Sequence, residues 1–325
     1  YYKSFLRAAF LSMEARTGAV KAYVGGINYD QFKYDMVMGG RRQVGSTIKP
    51  FLYALAMQNG MTPCTTVQNV QRSYGNWTPR NASKARYGQQ VPLRWGLQQS
   101  NNWISAYLIS LLGPSQFVNI LHDFGLNNPD IEKNTSPVLC LGPSELSLGE
   151  MCSAYTTFVN HGVRCAPLFV TRIEDSHGNV VAKFQPLMNE VISEESSFKM
   201  LDMLQAVIQG GTGGRLRYNY NLTGEIGGKT GTTNNNSDGW FMGFTPQLVN
   251  GCWVGGEDRD IHFDSTAMGQ GATMALPIWA YFMQMVYADK SLHYSPNAKF
   301  DIPSNFDPCR STDSISVNSI QEVYF

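Results

Sequence analysis

A serine and a lysine lie three residues apart in the stretch GSTIKP, residues 45–50. Pro50 is tolerated only in the first turn of a helix, so the helix predicted over 46–59 begins near Ser46. Lys49 then lies on the same helical face as Ser46. The free N–H groups of a helix start favour a developing alkoxide, and a neutral lysine can remove the serine hydroxyl proton. The pair therefore indicates nucleophilic catalysis, while the simpler interpretation is that Ser46 only caps the helix.

Two further short motifs contain residue types that suit the same chemistry. The first is Ser100-Asn101-Asn102, between two predicted helices, where serine and asparagine most often cap a helix. The second is KTGTT, residues 229–233, at the end of a predicted strand. Each motif alone has an ordinary structural explanation, so only their combination is informative.

The residues that lead into the K-T-G motif also match the sequence pattern of a phosphate-binding loop at all but one position. The pattern G-x-x-x-x-G-K-[ST] requires glycine at position 223, where this chain has threonine. Such a loop must lead into a helix, whereas residues 231–244 are predicted to form a turn followed by a strand. We therefore disfavour a nucleoside triphosphatase.

The composition is that of a folded globular protein and disfavours one class of partner. The 325 residues are 43% apolar and 15% charged, which excludes a disordered chain, and the length suggests about two domains. Twenty-five basic residues balance twenty-five acidic ones. No nucleic-acid partner is expected, because proteins that bind phosphates are usually basic.

Neither a membrane-spanning segment nor a metal site is predicted. The longest uncharged stretch, residues 265–288, is interrupted by Pro277, and its apolar part is too short to span a bilayer. Six cysteines occur without a C-x-x-C motif or a closely spaced histidine, so we expect no zinc site, mostly buried thiols, and one disulfide if the protein is exported. The chain starts without methionine or a signal sequence. We expect that it is cut from a longer protein.

Hydrophobic periodicity and turn residues predict strands at both ends of the chain and helices between them. The result is an α+β fold, an antiparallel sheet flanked by helices, with a mainly helical insertion at about 60–165. Residues 1–295 are predicted to form one domain and 296–325 an irregular tail. The predicted strands are 5–12, 19–27, 222–232, 238–245 and 247–256, with a further hairpin around 176–179, and the predicted helices are 46–59, 92–98, 103–111, 114–123, 144–161, 194–209 and 275–288.

The order S-x-x-K, S-x-N, K-T-G resembles the motif set of penicillin-binding proteins and class A β-lactamases. The blocks RRQVGSTIKPF at 41–51 and KTGTTNNNSDGWFMGFTP at 229–246 are similar to the corresponding blocks of transpeptidases, with Val44 where proline is frequent. The opening hairpin and the helical stretch 142–158 also fit. Residues from about 6 to 288 thus resemble the transpeptidase domain of class A, bifunctional, high-molecular-weight penicillin-binding proteins.

This resemblance implies a penicillin-binding protein or serine β-lactamase-like fold and a D,D-transpeptidase that needs no metal or cofactor. Its substrates would be peptidoglycan stem peptides, and β-lactam antibiotics would mimic the donor and acylate the serine. Members of this family carry a glycosyltransferase domain and a membrane anchor upstream, neither of which is in this chain. The expected location is the extracytoplasmic face of the bacterial cytoplasmic membrane.

By position, the resemblance assigns a role to each motif residue. Ser46 would attack the carbonyl between two D-Ala residues, and Lys49 would be its base. Ser100 would relay a proton to the leaving amine, with the positive charge of Lys229 beside it. The substrate-binding set would be Asn102 for the substrate amide, Thr230 and Thr232 for the donor carboxylate, Gly231 to leave room along the strand edge, and Thr233, with the backbone N–H groups of Ser46 and Thr232 as the oxyanion hole.

The proposed base needs a lowered pKa. For Lys49 to act near neutral pH, its pKa must fall from about 10.4 to near 7. Burial lowers the pKa of a lysine, and so does a second cation nearby, which would be Lys229.

Other functions stay open at this point. A serine β-lactamase needs a carboxylate that activates water. Glu145 lies at a plausible distance along the chain, but transpeptidases of this family have a similar structural residue, and Asp238 is expected to cap the turn 234–237. A D,D-carboxypeptidase would use water as the acceptor. A β-lactam sensor or an inactive scaffold is the non-enzyme alternative, which the intact motif set disfavours.

Overall fold

The computed structural model describes residues 2–133 and 135–311. The strands are β1 (Arg7–Glu14), β2 (Val20–Val24), β3 (Arg42–Gln43), β4 (Thr66–Gln68), β5 (Gln90–Pro92), β6 (Glu145–Leu146), β7 (Val163–Cys165), β8 (Arg172–Glu174), β9 (Val180–Lys183), β10 (Met188–Glu190), β11 (Gly227–Thr232), β12 (Asp238–Phe244) and β13 (Leu248–Gly255). The α-helices are α1 (Lys49–Gln58), α2 (Leu93–Gln98), α3 (Asn102–Leu112), α4 (Pro114–Asp123), α5 (Pro129–Lys133), α6 (Leu148–Val159), α7 (Glu194–Gly210), α8 (Arg215–Tyr218), α9 (Thr266–Gly269), α10 (Gly271–Met274) and α11 (Leu276–Ala288). Short 3-10 helices cover Tyr2–Ser4, Gly45–Ile48, Pro137–Leu141, Asn234–Asn236 and Lys290–Leu292.

Five of these strands form one antiparallel sheet in the order β11-β12-β13-β1-β2. Strand β1 pairs with β13 from Arg7 opposite Gly255 to Glu14 opposite Leu248, so the first and last of the described strands lie side by side. The other described strands form two-stranded ladders. The predicted antiparallel sheet is therefore confirmed, and β11 lies at one edge of it.

Helices cover both faces of the central strands. On one face, Gly251 of β13 lies against Leu148 and Cys152 of α6. On the other face, Gly243 of β12 lies against Trp279 of α11. Successive residues of a strand point to opposite faces, and every residue of β12 and β13 is buried. The double burial explains why these strands lack the alternation of a half-exposed sheet.

Helix α1 lies in the centre of the molecule and is buried on all sides. It contacts α3, α4 and α7, and its residues from Lys49 to Met57 are buried. The Phe51 ring packs with its centroid 4.7 Å from that of Phe124 and 5.8 Å from that of Phe158. A helix with apolar residues all round must be enclosed by the core. The lysine in its first turn is therefore carried into the interior.

Two predicted helices begin later than expected. The helix predicted over 46–59 is a 3-10 turn, Gly45–Ile48, that continues into α1. The helix predicted over 144–161 begins at Leu148, because Ser147 starts a capping box there. The residues just before that box pair with β3 as the short strand β6.

The strand predicted over 222–232 begins only at Gly227. Before it, Gly224 has a φ of +77°, a left-handed turn conformation that interrupts the strand. In the region predicted as a helical insertion, about 60–165, the structure has α2 to α6 together with the short β4-β5 ladder and the strands β6 and β7.

A disulfide joins Cys64 to Cys309, which are 245 residues apart in sequence. The described part of the tail forms no helix or strand. Phe300 is nevertheless buried, and its ring centroid lies 5.9 Å from that of Phe244 in β12. The described tail therefore packs on the domain. The domain boundary placed before the tail stays a prediction, and residues 312–325 lie outside the described residues.

The remaining cysteines are buried free thiols, in agreement with the expected single disulfide. Burial raises the pKa of Cys140 to about 12, so this thiol stays protonated at neutral pH. The four residues are Cys140, Cys152, Cys165 and Cys252.

Within the described residues, no single helix has the length and apolar character needed to cross a membrane. Helices α3 and α4 reach that length and composition only as a pair, and the pair is bent by 95°.

Candidate active site

Ser46 lies in the 3-10 turn Gly45–Ile48 and lines a cleft of about 250 Å³. Gly45 has a φ of +54°, and a Cβ atom there would lie 2.8 Å from the carbonyl oxygen of Thr232. Only glycine allows this turn to approach β11 so closely. The positions that cap the turn and α1 are Val44 and Ile48, and neither makes a side-chain cap. Ser46 is therefore not a capping residue, and the simpler interpretation of this serine is wrong.

Lys49 is fully buried and bonds to the turn that contains the S-x-N motif. Its Nζ donates to the backbone oxygen of Ser100 at 2.7 Å, to Oδ1 of Asn102 at 2.6 Å and to Oγ of Ser100 at 3.3 Å. All three acceptors are neutral. Burial therefore lowers the pKa of Lys49 to about 7. A lysine with this pKa gives up its proton near neutral pH.

Ser100 occupies the turn between α2 and α3 with a φ of +53°, which is uncommon for a residue other than glycine. Its neighbour Asn101 takes the capping role, because Oδ1 accepts from the backbone N–H groups of Trp103 and Ile104 in α3. The capping interpretation of this motif thus applies to its middle residue. Ser100 and Asn102 are left to bond with the lysines.

Lys229 reaches the same serine from the edge strand β11. Its Nζ donates to Oγ of Ser100 at 2.8 Å and to the backbone oxygen of Thr230 at 3.0 Å. Burial, together with the charge of Lys49, lowers the pKa of Lys229 well below its ordinary value. Two buried ammonium groups that bond one hydroxyl repel each other, so the pair loses a proton more readily than a surface lysine does.

Thr230 and Thr232 both line the cleft. Oγ1 of Thr230 is hydrogen-bonded to Oγ1 of Thr212 at 2.7 Å, and Oγ1 of Thr232 accepts from the backbone N–H of Gly271 at 3.1 Å. Because β11 is an edge strand, it has backbone groups that no neighbouring strand uses. A ligand in the cleft can therefore meet hydroxyl and backbone groups of the same strand.

Gly231 is required for a different reason from the expected one. A Cβ atom at this position would lie 2.8 Å from Cγ2 of Thr47 and 2.8 Å from the carbonyl oxygen of Val44. The absent side chain makes room for the Ser46 turn rather than for a substrate. This contact is what brings the S-x-x-K turn against the K-T-G strand.

The structure does not bring Thr233 to the cleft that contains Ser46. Its Oγ1 donates to Oδ2 of Asp238 at 3.1 Å and accepts from the backbone N–H of Asp238 at 3.0 Å. The other oxygen of Asp238 accepts from Arg42 Nε at 2.7 Å and from Trp253 Nε1 at 3.0 Å. Asp238 therefore does not cap backbone N–H groups of the turn as predicted, but joins the turn to β3 and β13.

Asn102 lines the cleft with part of its amide already bonded. Oδ1 accepts from Lys49, and Nδ2 donates to the backbone oxygen of Arg80 at 2.7 Å. Its backbone N–H donates to Oδ1 of Asn81 at 2.9 Å. Nδ2 carries two hydrogens, so one of them remains for a ligand.

Sequence reasoning missed several residues that line this cleft: Asn81, Trp95, Thr212 and Gln270. They come from separate loops and from α2, and neither a motif nor a spacing marks them. Only folding brings them to Ser46, so no signal in one sequence identifies them.

None of the described residues that line the cleft is a carboxylate. Glu145 lies in β6 rather than in the predicted helix, and its Oε1 is 2.9 Å from Nη2 of Arg259. Its neighbours Leu146 and Leu148 are fully buried, as expected. Within the described residues, no group of three or more histidine, cysteine or acidic side chains could hold a metal ion.

Comparison with known proteins decides the family. Residues 8–255 match the family model of the penicillin binding protein transpeptidase domain. The chain belongs to this family. It is 33% identical over 304 residues to penicillin-binding protein 1A of Aquifex aeolicus (strain VF5), covering 92% of this chain and 40% of that protein. It is 32% identical over 297 residues to penicillin-binding protein 1A of Neisseria meningitidis serogroup B, covering 88% of this chain and 36% of that protein.

Solved structures agree with this placement of the transpeptidase domain. Penicillin-binding protein 1A from Haemophilus influenzae superposes with a TM-score of 0.82 at 28% identity, covering 92% of this chain and 49% of that chain. PonA1 from Mycobacterium tuberculosis, in complex with penicillin V, superposes with a TM-score of 0.78 at 22% identity, covering 94% and 83%. The predicted fold and the resemblance to class A penicillin-binding proteins are therefore confirmed. This chain spans 40% or less of the length of the curated relatives named above.

Proposed function

We propose that this domain cross-links peptidoglycan stem peptides as a serine D,D-transpeptidase. Oγ of Ser46 attacks the carbonyl carbon between the two D-Ala residues of a donor, and Nζ of Lys49 takes the hydroxyl proton. The tetrahedral intermediate expels terminal D-Ala once its amine has received a proton through Ser100. An amine of a neighbouring stem then attacks the acyl-enzyme carbonyl. The amine gives up one proton through Ser100 to Lys49, and Lys49 returns a proton to Oγ of Ser46 as the C–Oγ bond breaks, which forms the cross-link and releases Ser46.

One observation carries this proposal: two buried lysines bond one serine hydroxyl inside the cleft that Ser46 lines. Oγ of Ser100 accepts from Lys49 at 3.3 Å and from Lys229 at 2.8 Å. A hydroxyl that accepts two hydrogen bonds keeps its own hydrogen for a third group. Ser100 can therefore donate to the leaving amine and be reprotonated from either lysine.

The two lysines have different tasks in this mechanism. Lys49 lies one helical turn from Ser46, and its pKa of about 7 lets it be neutral when the donor arrives. Lys229 belongs to the strand along which the donor lies, so its charge attracts the donor carboxylate and stabilises the anionic intermediate. The task of Lys49 rests on burial without a compensating acid among the atoms that it bonds. Because the charge of Lys49 is one cause of the lowered pKa of Lys229, a neutral Lys49 favours the charged form of Lys229, and an incoming carboxylate favours it further.

The backbone supplies the oxyanion hole in this proposal. The N–H groups of Ser46 and Thr232 would bind the oxyanion, and the close approach of Gly45 to the Thr232 carbonyl supports their proximity. Each such donor contributes about 3 kcal/mol to the transition state in related chemistry. Thr230 and Thr232 would bind the donor carboxylate, and Asn102 would bind the substrate amide, whereas the role of Thr233 is best explained by its turn.

We also propose that β-lactams acylate Ser46 by the same route. The acyl-enzyme should be long-lived, because the described cleft residues offer no carboxylate to activate water. The same feature disfavours a β-lactamase and a D,D-carboxypeptidase, both of which pass the acyl group to water. The buried lysine pair disfavours an inactive scaffold, and the transpeptidase-like blocks around the motifs, residues 41–51 and 229–246, disfavour a sensor.

The whole protein would have further parts. The class A relatives are more than twice as long as the part of them that this chain covers. We propose that an upstream glycosyltransferase domain and membrane anchor hold this domain at the extracytoplasmic face of the cytoplasmic membrane.

A labelled penicillin tests the proposal. The label should survive denaturation, map to the peptide around Ser46, and disappear in Ser46→Ala. The control is Ser110→Ala, which removes an exposed hydroxyl on α3 and should label fully. A thioester donor with an added D-amino acid should give mainly the aminolysis product. Full labelling of Ser46→Ala, or hydrolysis as the main reaction, would overturn the proposal.

A further inference from the structure

Thr212 lies between the turn that carries Ser100 and the strand that carries Thr230, at the edge of the cleft. It follows the end of α7, is half-buried, and lines the same cleft as Ser46 and Thr230. Its Oγ1 is 2.7 Å from Oγ1 of Thr230. It belongs to none of the three motifs.

The loop that holds Thr212 is fixed against the end of α2. Gly211 passes so close to the backbone oxygen of Gln98 that a Cβ atom would clash with it. The N–H of Thr212 donates to this same oxygen at 3.3 Å. The Gln98 side chain in turn donates to the backbone oxygen of Ala206 in α7 at 3.1 Å. Because Gln98 precedes Ser100 by two residues, the position of Thr212 is tied to the turn that carries Ser100.

The two threonine hydroxyls share one hydrogen bond but have two hydrogens between them. Whichever hydroxyl donates to the other, one hydrogen of the pair remains for a group in the cleft. A carboxylate can only accept hydrogen bonds, so it suits this remaining donor. The mutual bond also restricts rotation of both hydroxyls and polarises the one that faces the ligand.

We propose that Thr212 is a positioning residue that, through Thr230, makes the cleft selective for donors with a free terminal carboxylate. The proposal rests on the transpeptidase function proposed above. Nζ of Lys229 is 3.0 Å from the backbone oxygen of Thr230, so an amino group that can carry a proton to meet a carboxylate lies beside the same residue. Loss of the Thr212 hydroxyl leaves Thr230 free to rotate, which weakens carboxylate binding without altering the base at Ser46.

The test compares two donors on three variants. One donor ends in D-Ala with a free carboxylate, and the other carries the C-terminal amide of the same peptide. Thr212→Val removes the hydroxyl at nearly constant shape, and Thr212→Ser retains it. Thr171→Val is the matched control, because Thr171 is exposed and directly precedes β8. The acylation rate constant and KM are measured for each donor, together with the Tm of each variant.

We expect Thr212→Val to lower kcat/KM for the carboxylate donor about tenfold, mainly through KM, since a hydrogen bond to a charged group is worth about this much. The amide donor should change less than about twofold, and Thr212→Ser should restore most of the preference. Equal losses for both donors, or no loss for either, would overturn the proposal. If Thr212→Val fails to fold, the comparison of Thr212→Ser with Thr212→Ala decides by the same ratio.

Failure of the proposed function gives a different result. If the wild-type protein is acylated by neither donor, the transpeptidase proposal itself fails. If it is acylated by the carboxylate donor and Thr212→Val keeps its preference, only the role of Thr212 fails.

Discussion

Two groups of cations lie close to the K-T-G strand, the lysine pair and Arg42, and they have opposite kinds of partner. Lys49 and Lys229 are fully buried, and the atoms that they bond are neutral oxygens. Arg42, just before the Ser46 turn, has its Nε 2.7 Å from Oδ1 of the fully buried Asp238. Both groups bring positive charge into the interior, but only the second brings a negative charge with it.

This difference separates a reactive site from a structural one. Burial without a counterion lowers the pKa of a lysine, so that it loses its proton easily. A neutral amine can then act as a general base. A buried guanidinium beside a carboxylate stays charged, since arginine is not deprotonated in proteins. The ion pair holds β3 against the turn after β11, and so supports the cleft from outside it.

The largest effect should come from replacing the proposed base. Lys49→Arg should lower the rate of penicillin acylation roughly a thousandfold, because arginine cannot accept the serine proton. Lys229→Arg is the matched variant and should retain part of the activity, with a loss of about tenfold, because that site requires only charge. Rates are measured by stopped-flow with a fluorescent penicillin. Equal losses in the two variants would contradict this division.

Breaking the ion pair of Arg42 and Asp238 should affect stability much more than acylation. Asp238→Asn leaves the largely buried guanidinium of Arg42 without this counterion. The change should lower the free energy of unfolding by about 3 kcal/mol, while acylation per folded molecule changes only a few-fold. Urea unfolding measures the first quantity and active-site titration the second. The control Glu174→Gln breaks an exposed pair with Arg172 and should cost under about 1 kcal/mol. A stable but unreactive Asp238→Asn would place Asp238 in the active site.

The pH dependence of acylation follows from the lowered pKa of the base. Burial lowers the pKa of Lys49 to about 7, and only the neutral amine can take the serine proton. The acylation rate should therefore be nearly constant above about pH 8 and fall about tenfold per pH unit below about pH 6. A pH series from about 5 to 9, with folding checked at each point by circular dichroism, measures it. A rate that is flat between pH 6 and 8 would mean that Lys49 is not the base.

The smallest effect is expected at Glu145. Its pairing with Arg259 outside the cleft gives it no access to a hydrolytic water. Glu145→Gln should leave the lifetime of the penicilloyl-enzyme, many minutes to hours, unchanged within about twofold. Intact-protein mass spectrometry after removal of free drug measures this lifetime. Loss of the added mass within seconds in the wild type, and its persistence in the variant, would assign Glu145 to catalysis.

Much of the fold could be predicted because local rules and tertiary structure agree. The central strands, the helix after Ser46 and the late apolar helix were all expected from periodicity, turns and Pro50. The ends of helices and strands differ from the prediction where a local backbone feature interrupts the hydrophobic periodicity. Examples are the capping box of Ser147 and the left-handed conformation of Gly224. The Cys64–Cys309 pairing could not be chosen from spacing, because its partners are brought together only by the complete fold.

The sequence by itself determined which residue types are available for the chemistry and in what order they come. S-x-x-K, S-x-N and K-T-G are short-range patterns, and one turn or one strand is enough to define each of them. Their family could be recognised for the same reason.

Only the tertiary structure decided what each of these residues contacts. Packing of α1 into the core removed water from Lys49, and packing of the Ser46 turn on Gly231 joined two motifs that are far apart in sequence. Other tertiary contacts paired Asp238, to which Thr233 bonds, with Arg42 and brought Thr212 to the cleft. Burial and close approach depend on segments that lie far apart in sequence, so no local pattern contains them.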